Sequence, residues 1–358
     1  MTELASLVGE LRQAWPRPSS PRPIVAIGAG SIVRDAHLPA YARLGFPVAG
    51  IFDVDEGTAR ERAETSGVPR VFSSLGDALA TAGAVFDVAV PPDQVAGILE
   101  RMPAGSAVLM PKPMGRDLDE ARHIRDLCRE RQLVAAVNFQ LRFAPNMLAL
   151  RDALARGLLG DVTDMEVRLN LHTPWAYWAF LKGAPRLEVL MHSIHYIDLI
   201  RSLIGEPRGV YCRGARHPSL EGYPDVGTSI ILDYGDELRC SLTMNHTHDF
   251  GSRFALSQLK VEGTRGAAVA KMGVNLNYPH GEPDELLLAT RNADWTAAPL
   301  RGSWFLEAFE GPMSNLQRVV AGEDKALVSP VDDALRTMAV VEACYASSAA
   351  GGTPIPAS

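Results

Sequence analysis

The chain has 358 residues, too long for one average domain and long enough for two, and its 47% hydrophobic content suffices for a core in each. A formal charge of -7 without any basic run speaks against a nucleic-acid or anionic-membrane partner and favours small neutral or polar ligands. The four cysteines, Cys128, Cys212, Cys240 and Cys344, are scattered and form no Cys-x-x-Cys pair, so neither a disulfide framework nor a zinc ribbon is expected.

Met1 to Trp15 carries apolar residues at helical spacing interrupted by Glu3, Glu10 and Arg12, unlike the core of a signal peptide. No stretch reaches the length of a membrane span, and a cytoplasmic protein is expected. Arg17 to Pro23 reads as an extended proline-rich linker, which predicts a first domain beginning near Arg22.

The stretch Pro23 to Gly30 (Pro-Ile-Val-Ala-Ile-Gly-Ala-Gly) predicts a strand running into a tight turn, with a helix from Ser31 to Leu44. Gly28 and Gly30 suit such a turn because backbone N–H groups at a helix start can cradle a pyrophosphate only where no Cβ intervenes. The third glycine of the dinucleotide fingerprint is replaced by Val33, so a bare strand-to-helix turn is the competing reading. The next strand, Val48 to Phe52, ends in Asp53, at the spacing where a carboxylate accepts hydrogen bonds from ribose hydroxyls. A negative charge there repels a 2′-phosphate, so NAD is expected over NADP; Asp55 competes with Asp53 for the role.

Further alternation follows: a helix through Ala63, a short strand at Arg70–Phe72, a strand from Ala84 to Val90 stopping at Pro91-Pro92, and another from Ala107 to Met110 stopping at Pro111-Lys112-Pro113. A helix through Cys128 then leads to a strand at Leu133–Val137. Apolar strands separated by helices predict a doubly wound parallel sheet. From about Arg142 the pattern changes. A helix from Pro145 to Arg156 precedes strands at Asp164–Leu171, Val210–Arg213, Thr228–Tyr234, Glu237–Asn245 and Phe254–Glu262, interrupted by a helix at Leu187–Leu203 and closed by one at Val331–Ala346. The expected fold is α/β: an N-terminal helix and proline-rich linker over 1–22, a Rossmann domain over 23–142, and a substrate-binding and oligomerisation α+β domain with a mixed sheet over 143–358.

Several motifs in this order resemble the glucose-fructose oxidoreductase, inositol dehydrogenase and rhizopine-catabolism (Gfo/Idh/MocA) family. They are Gly28-Ala29-Gly30-Ser31-Ile32, His37-Leu38-Pro39-Ala40, the strand ending at Pro91-Pro92, Lys112-Pro113-Met114, Asn138 to Arg142, and His195-Tyr196-Ile197-Asp198 on a helix reaching Gly205-Glu206-Pro207. The resemblance implies an NAD-binding Rossmann domain, an open-faced mixed sheet used in homodimers or homotetramers, and hydride transfer at a hydroxyl of a sugar, sugar derivative or cyclitol. It implies cofactor contacts from Gly28 to Ile32 and at Asp53, Pro91, Pro92, Lys112 and Gln140, with Lys112 and His195 as catalytic residues. Two departures stand out: Pro111 replaces the Glu or Gln usual before the Lys-Pro pair, and Met191 replaces the Asp frequent four residues before the histidine.

Oxidation of a secondary alcohol needs a base near neutral pKa at the hydroxyl, which suits His195, and Lys112 just past a strand end can hold charge against a developing alkoxide or join the proton path. On an ideal helix Glu188, His192 and His195 share one face, so Glu188 or His192 is expected to orient His195 or to hold a substrate hydroxyl. The aromatic loop His172-Thr173-Pro174-Trp175-Ala176-Tyr177-Trp178 is expected to line the substrate through His172, Trp175 and Trp178, with an oligomer interface as the alternative. Asn138, Gln140 and Arg142 are expected to reach nicotinamide or substrate, with interdomain hydrogen bonding as the alternative. His246 and His248 are assigned to the sheet surface. The stagger of His192, His195 and Asp198 does not support a metal site. Two other functions stay open: a redox-neutral lyase or hydrolase that retains NAD, and a non-catalytic dinucleotide or sugar sensor.

Overall fold

The computed structural model describes residues 3–175, 178, 181–277 and 280–356. Along them run α1 (Glu3–Gly9), β1 (Ile24–Ile27), α2 (Leu38–Leu44), β2 (Val48–Phe52), α3 (Glu56–Ser66), α4 (Leu75–Leu79), β3 (Val85–Val88), α5 (Pro92–Leu99), β4 (Ala107–Met110), α6 (Leu118–Glu130), β5 (Val134–Val137) and α7 (Pro145–Ala155). They are followed by β6 (Val162–Asn170), α8 (Ile194–Ile204), β7 (Gly209–Ala215), β8 (Gly227–Asp233), β9 (Arg239–Asn245), β10 (Leu256–Gly263), β11 (Gly266–Lys271), β12 (Glu285–Thr290), β13 (Ala293–Ala297), α9 (Glu307–Val320) and α10 (Val331–Ala350). Two compact units result: Gln13–Pro145 with Trp304–Met338, and Met1–Arg12, Asn146–Ser303 with Ala339–Ser358.

In the first unit β1 to β5 form a parallel sheet in the order β2-β1-β3-β4-β5. The strands are short and β1, β3 and β4 are buried throughout, because helices on both faces leave no polar side. The order reverses between β1 and β3, which opens a crevice at their carboxyl ends. Ile24, Ala26, Ile51, Val85, Leu109 and Ala136 share one core cluster with Met313 and Leu316 of α9.

Helix α9 carries Gly311 and Pro312 in its middle, two residues that disfavour a helix interior. Gly311 has a packing reason: a Cβ there would stand 2.3 Å from the Phe143 ring. Residues 13–22 also belong to this unit. Trp15 packs edge-on against Phe143 at 5.4 Å and donates its Nε1–H to Asp324 at 2.9 Å, while Arg318 donates to the Arg17 carbonyl. The proline-rich segment has no regular secondary structure and is pinned by Ser19, which donates to Glu323, and by the Arg22 N–H, which donates to Gln317.

The second unit contains a mixed sheet in the order β13-β12-β11-β10-β6-β9-β8-β7, in which β6 and β9 are parallel and the other neighbours antiparallel. Burial alternates along β6, β8 and β9, so one face carries Met165, Val167, Leu169, Ile230, Leu232, Leu242 and Met244 into the core. The other face exposes the cross-strand pair Tyr211 and Ile231, at 66% and 52% of their surface. Strands β11, β12 and β13 were absent from the sequence reading. All three are short, and β11 is mostly alanine and glycine, which carry little β signal. Among the described residues no helix is long and apolar enough to cross a membrane.

Candidate functional site

In the parallel-sheet unit the turn after β1 follows the expected path. Gly28 has φ +105°, and a Cβ on it would lie 2.3 Å from the Ala89 carbonyl oxygen after β3, so glycine is required twice over. A Cβ on Gly30 would meet nothing within 4 Å, and Gly30, Ser31 and Ile32 are exposed, Ile32 at 40%. A glycine and a helix start thus face open space at the switch point of the sheet, which is what a pyrophosphate cradle needs. Pro91 is exposed and Pro92 opens α5 on the neighbouring carboxyl end.

Asp53 and Asp55 divide their work. Asp53 accepts hydrogen bonds from the Ala29 N–H at 2.7 Å and the Asp55 N–H at 2.9 Å, which ties the end of β2 to the glycine turn. Asp55 caps α3, accepting from the N–H groups of Gly57 and Thr58 and from the Thr58 hydroxyl, and these bonds hold its pKa below the usual carboxylate value. The residues fit a dinucleotide, with Asp53 as the carboxylate beside the turn.

The helix after the turn is not a plain α-helix. Val33–His37 is a π-turn, and it lowers His37 onto the sheet. There the ring Nδ1 meets the Asp87 carboxylate at 2.8 Å, the Tyr41 hydroxyl donates to the same Asp87 oxygen at 2.9 Å, and Asn138 Nδ2 lies 3.3 Å from His37 Nε2. All four side chains are buried. Burial and the Asp87 charge raise the Tyr41 pKa well above its ordinary value. The network spans α2, β3 and the end of β5 and anchors the helix that opens at the glycine turn.

Lys112 follows β4 on the same carboxyl edge, half-buried, in a cis peptide with Pro113. Burial lowers its pKa to about 8. Gln140 lies buried in the 3-10 turn Gln140–Phe143. Arg142, expected near substrate, is buried in the same turn. It donates to the Val328 carbonyl at 2.7 Å and to the Asp333 carboxylate, and it lies over the Phe139 ring. A guanidinium neutralised by its own unit in this way serves to fix the turn.

In the mixed-sheet unit the expected single face of Glu188, His192 and His195 does not form. Val189–Ser193 is a second π-turn, and its wider turn breaks the α-helical spacing before α8 begins at Ile194. Glu188 therefore finds other partners than His195. Its fully buried carboxylate accepts from the Ser193 hydroxyl at 2.9 Å, the Thr228 hydroxyl at 2.6 Å and His246 Nε2 at 3.2 Å. His246, expected on the sheet surface, is 1% exposed, because it continues the inward face that Cys240, Leu242 and Met244 take along β9.

Its Nδ1 meets the Thr173 hydroxyl at 2.7 Å. Trp175 is 3% exposed and stacks near His192, His246 and Tyr223 at 4.9, 5.4 and 6.0 Å. His192 and Trp178 are half-buried, and His172 is exposed on a bridge to Thr247. Ala176 and Tyr177 of this loop lie outside the described residues. His195 is buried at 9% exposure on the first turn of α8. Asp225 accepts from the Leu187 N–H at 3.1 Å, and burial together with the Glu188 charge pushes its pKa up to about 6.

Residues 23–139 match the model of an oxidoreductase family with an NAD-binding Rossmann fold, and residues 147–269 match the GFO/IDH/MocA C-terminal domain. The trans-1,2-dihydrobenzene-1,2-diol dehydrogenase of Macaca fuscata fuscata is 28% identical over 285 residues, 77% of this chain and 80% of that protein. The D-apiose dehydrogenase of Paraburkholderia graminis is 24% identical over 343 residues, 91% of this chain and 88% of that one. A solved oxidoreductase from Agrobacterium radiobacter, in complex with NAD+, L-tartaric acid and magnesium, shares the fold with a TM-score of 0.78 at 18% identity, over 92% of this chain and 97% of its own. The chain belongs to the Gfo/Idh/MocA family of NAD-binding oxidoreductases.

Proposed function

We propose that the protein is an NAD-dependent dehydrogenase that oxidises a secondary hydroxyl on the ring of a sugar, sugar derivative or cyclitol. The observation that carries this reading is the glycine turn at the switch point, with its exposed Gly30-Ser31-Ile32 edge and Asp53 bonded to Ala29. When bound, the dinucleotide supplies a two-electron acceptor for the hydrogen that leaves the alcohol carbon. Gly28 to Ile32 would hold its pyrophosphate and Asp53 its adenosine ribose, with Pro91, Pro92 and Gln140 bordering it. The negative charge of Asp53 disfavours a 2′-phosphate, so NAD is the cofactor.

Lys112 and His195 are proposed as the catalytic residues, each from its own surroundings. A lysine lowered to about 8 keeps its ammonium form at neutral pH and opposes negative charge growing on the substrate oxygen. His195 takes the hydroxyl proton as the carbon–oxygen double bond forms. Trp175, Trp178, His172 and His192 are proposed for the substrate, since aromatic faces pack against the C–H faces of sugar rings. Curated relatives that act on a cyclic diol and on D-apiose support that substrate class. The exposed Tyr211 and Ile231 support the expected homodimer or homotetramer.

The test is incubation of full-length protein with NAD and a panel of pyranoses, inositols, sugar acids and cyclic vicinal diols, followed at the absorbance band of the reduced nicotinamide. Reduction with one ligand class that is lost in His195→Ala is the expected result. Silence across the panel with NAD still bound overturns the dehydrogenase reading in favour of a redox-neutral enzyme or a sensor.

A further inference from the structure

We propose that Glu188 and His246 are positioning residues, which hold the His192 ring against Trp175 as one wall of the subsite for the substrate ring. The subsite role rests on the dehydrogenase reading above, whereas the coupling of His192 to the Glu188–His246 pair does not.

The sheet brings these groups together. Strands β6 and β9 run parallel in register, Asn170 opposite Asn245, so their ends deliver Thr173 and His246 side by side, with the Thr173 N–H donating to the His246 carbonyl at 3.0 Å. Thr228 on β8, whose register partner is Met244 of β9, completes the floor. Into this floor the π-turn inserts Glu188 and Ser193.

A carboxylate with 0% exposure is costly to bury, and an apolar side chain would fill the same space at less cost. What the carboxylate adds is direction. It accepts only, so His246 Nε2 carries the ring proton, and Nδ1 accepts from the Thr173 hydroxyl. Both ring nitrogens of His246 are thereby committed, which fixes the plane of the ring. That ring stands 4.7 Å from His192 and 5.4 Å from Trp175, and Trp175 stands 4.9 Å from His192.

One observation in this cluster points to a ligand. Trp175 Nε1 is buried and has no hydrogen-bond partner among the described residues, which is uncommon for a buried donor. A hydroxyl of a bound polyol satisfies it. The buried charge of Glu188, beside an Asp225 whose pKa is raised by burial and then by that charge, makes an uncharged polyol a better occupant than a sugar acid.

The experiment uses full-length protein with 15N-labelled histidine, together with Thr173→Val, Thr173→Ser and Glu188→Gln. His246 is expected as the Nε2–H tautomer; an Nδ1–H tautomer in the unmutated protein overturns the proposal without any variant. Thr173→Val removes the hydroxyl at nearly constant shape. It is expected to shift the His192 ring resonances and to raise KM for the polyol identified by the panel five- to tenfold, with kcat and NAD affinity within twofold. Thr173→Ser restores both. His192 resonances that stay in place in both Thr173→Val and Glu188→Gln overturn the proposal, with or without turnover. Shifted resonances with an unchanged KM overturn the subsite role, and shifted resonances in a protein that reduces no NAD support the positioning while removing the dehydrogenase reading.

Discussion

The Asp53 carboxylate accepts the Ala29 N–H at 2.7 Å, so the acidic residue that ends β2 also fastens the glycine turn that follows β1. Its charge and its hydrogen bond can be separated. Asp53→Asn keeps an acceptor for Ala29 and removes the charge, so the preference for NAD over NADP is expected to fall by about tenfold or more, the equivalent of about 1.4 kcal/mol. Fluorescence titration of both dinucleotides checks this. An unchanged ratio would mean that another residue discriminates.

The buried His37–Asp87–Tyr41 network supports the helix that starts at the turn. Asp87→Ala leaves His37 and Tyr41 without their shared acceptor and is expected to cost about 3–5 kcal/mol in urea unfolding. Tyr41→Phe removes one of the two donors and is expected to cost about 1 kcal/mol. Equal losses from the two variants would contradict this ordering.

Burial of Lys112 brings the loss of its proton to about pH 8. Because the proposed role needs the ammonium form, kcat/KM is expected to fall as pH rises through about 8. Lys112→Arg stays charged throughout and is expected to lack that limb, at a cost of about 10- to 100-fold in rate from its different geometry. A wild-type rate that rises through pH 8 would instead make Lys112 the base.

Asp225 offers a stability measurement. Its pKa is about 6 when folded, above the value of about 4 for an unfolded aspartate, so the folded state holds a proton there that the unfolded state releases. This contribution is full below about pH 4 and is lost as pH rises through 6. Relative to Asp225→Asn, the wild-type protein is expected to lose about 2–3 kcal/mol between pH 4 and pH 7 in urea unfolding. A difference between the two proteins that stays flat over that window would refute the assignment.

What the sequence by itself determined is what local spacing controls. Gly28, Gly30 and Asp53 could be placed because a tight turn, a helix start and the next strand end follow one another over a short stretch. The buried runs of β1, β3 and β4 announced a parallel sheet for the same reason. Lys112 was placed by the strand that ends just before it. Only the tertiary structure decided the partners of Glu188. His246 lies 58 positions away and reaches it because β6 and β9 end where β8 begins, a fact of strand order that no periodicity encodes. The π-turn at Val189–Ser193 likewise overrode the helical arithmetic that put Glu188, His192 and His195 on one face, since an extra residue in one turn rotates everything before it. In α9 a glycine and a proline, both poor formers of a helix interior, are held in a helix by packing on Phe143 and the sheet core, where burial outweighs propensity.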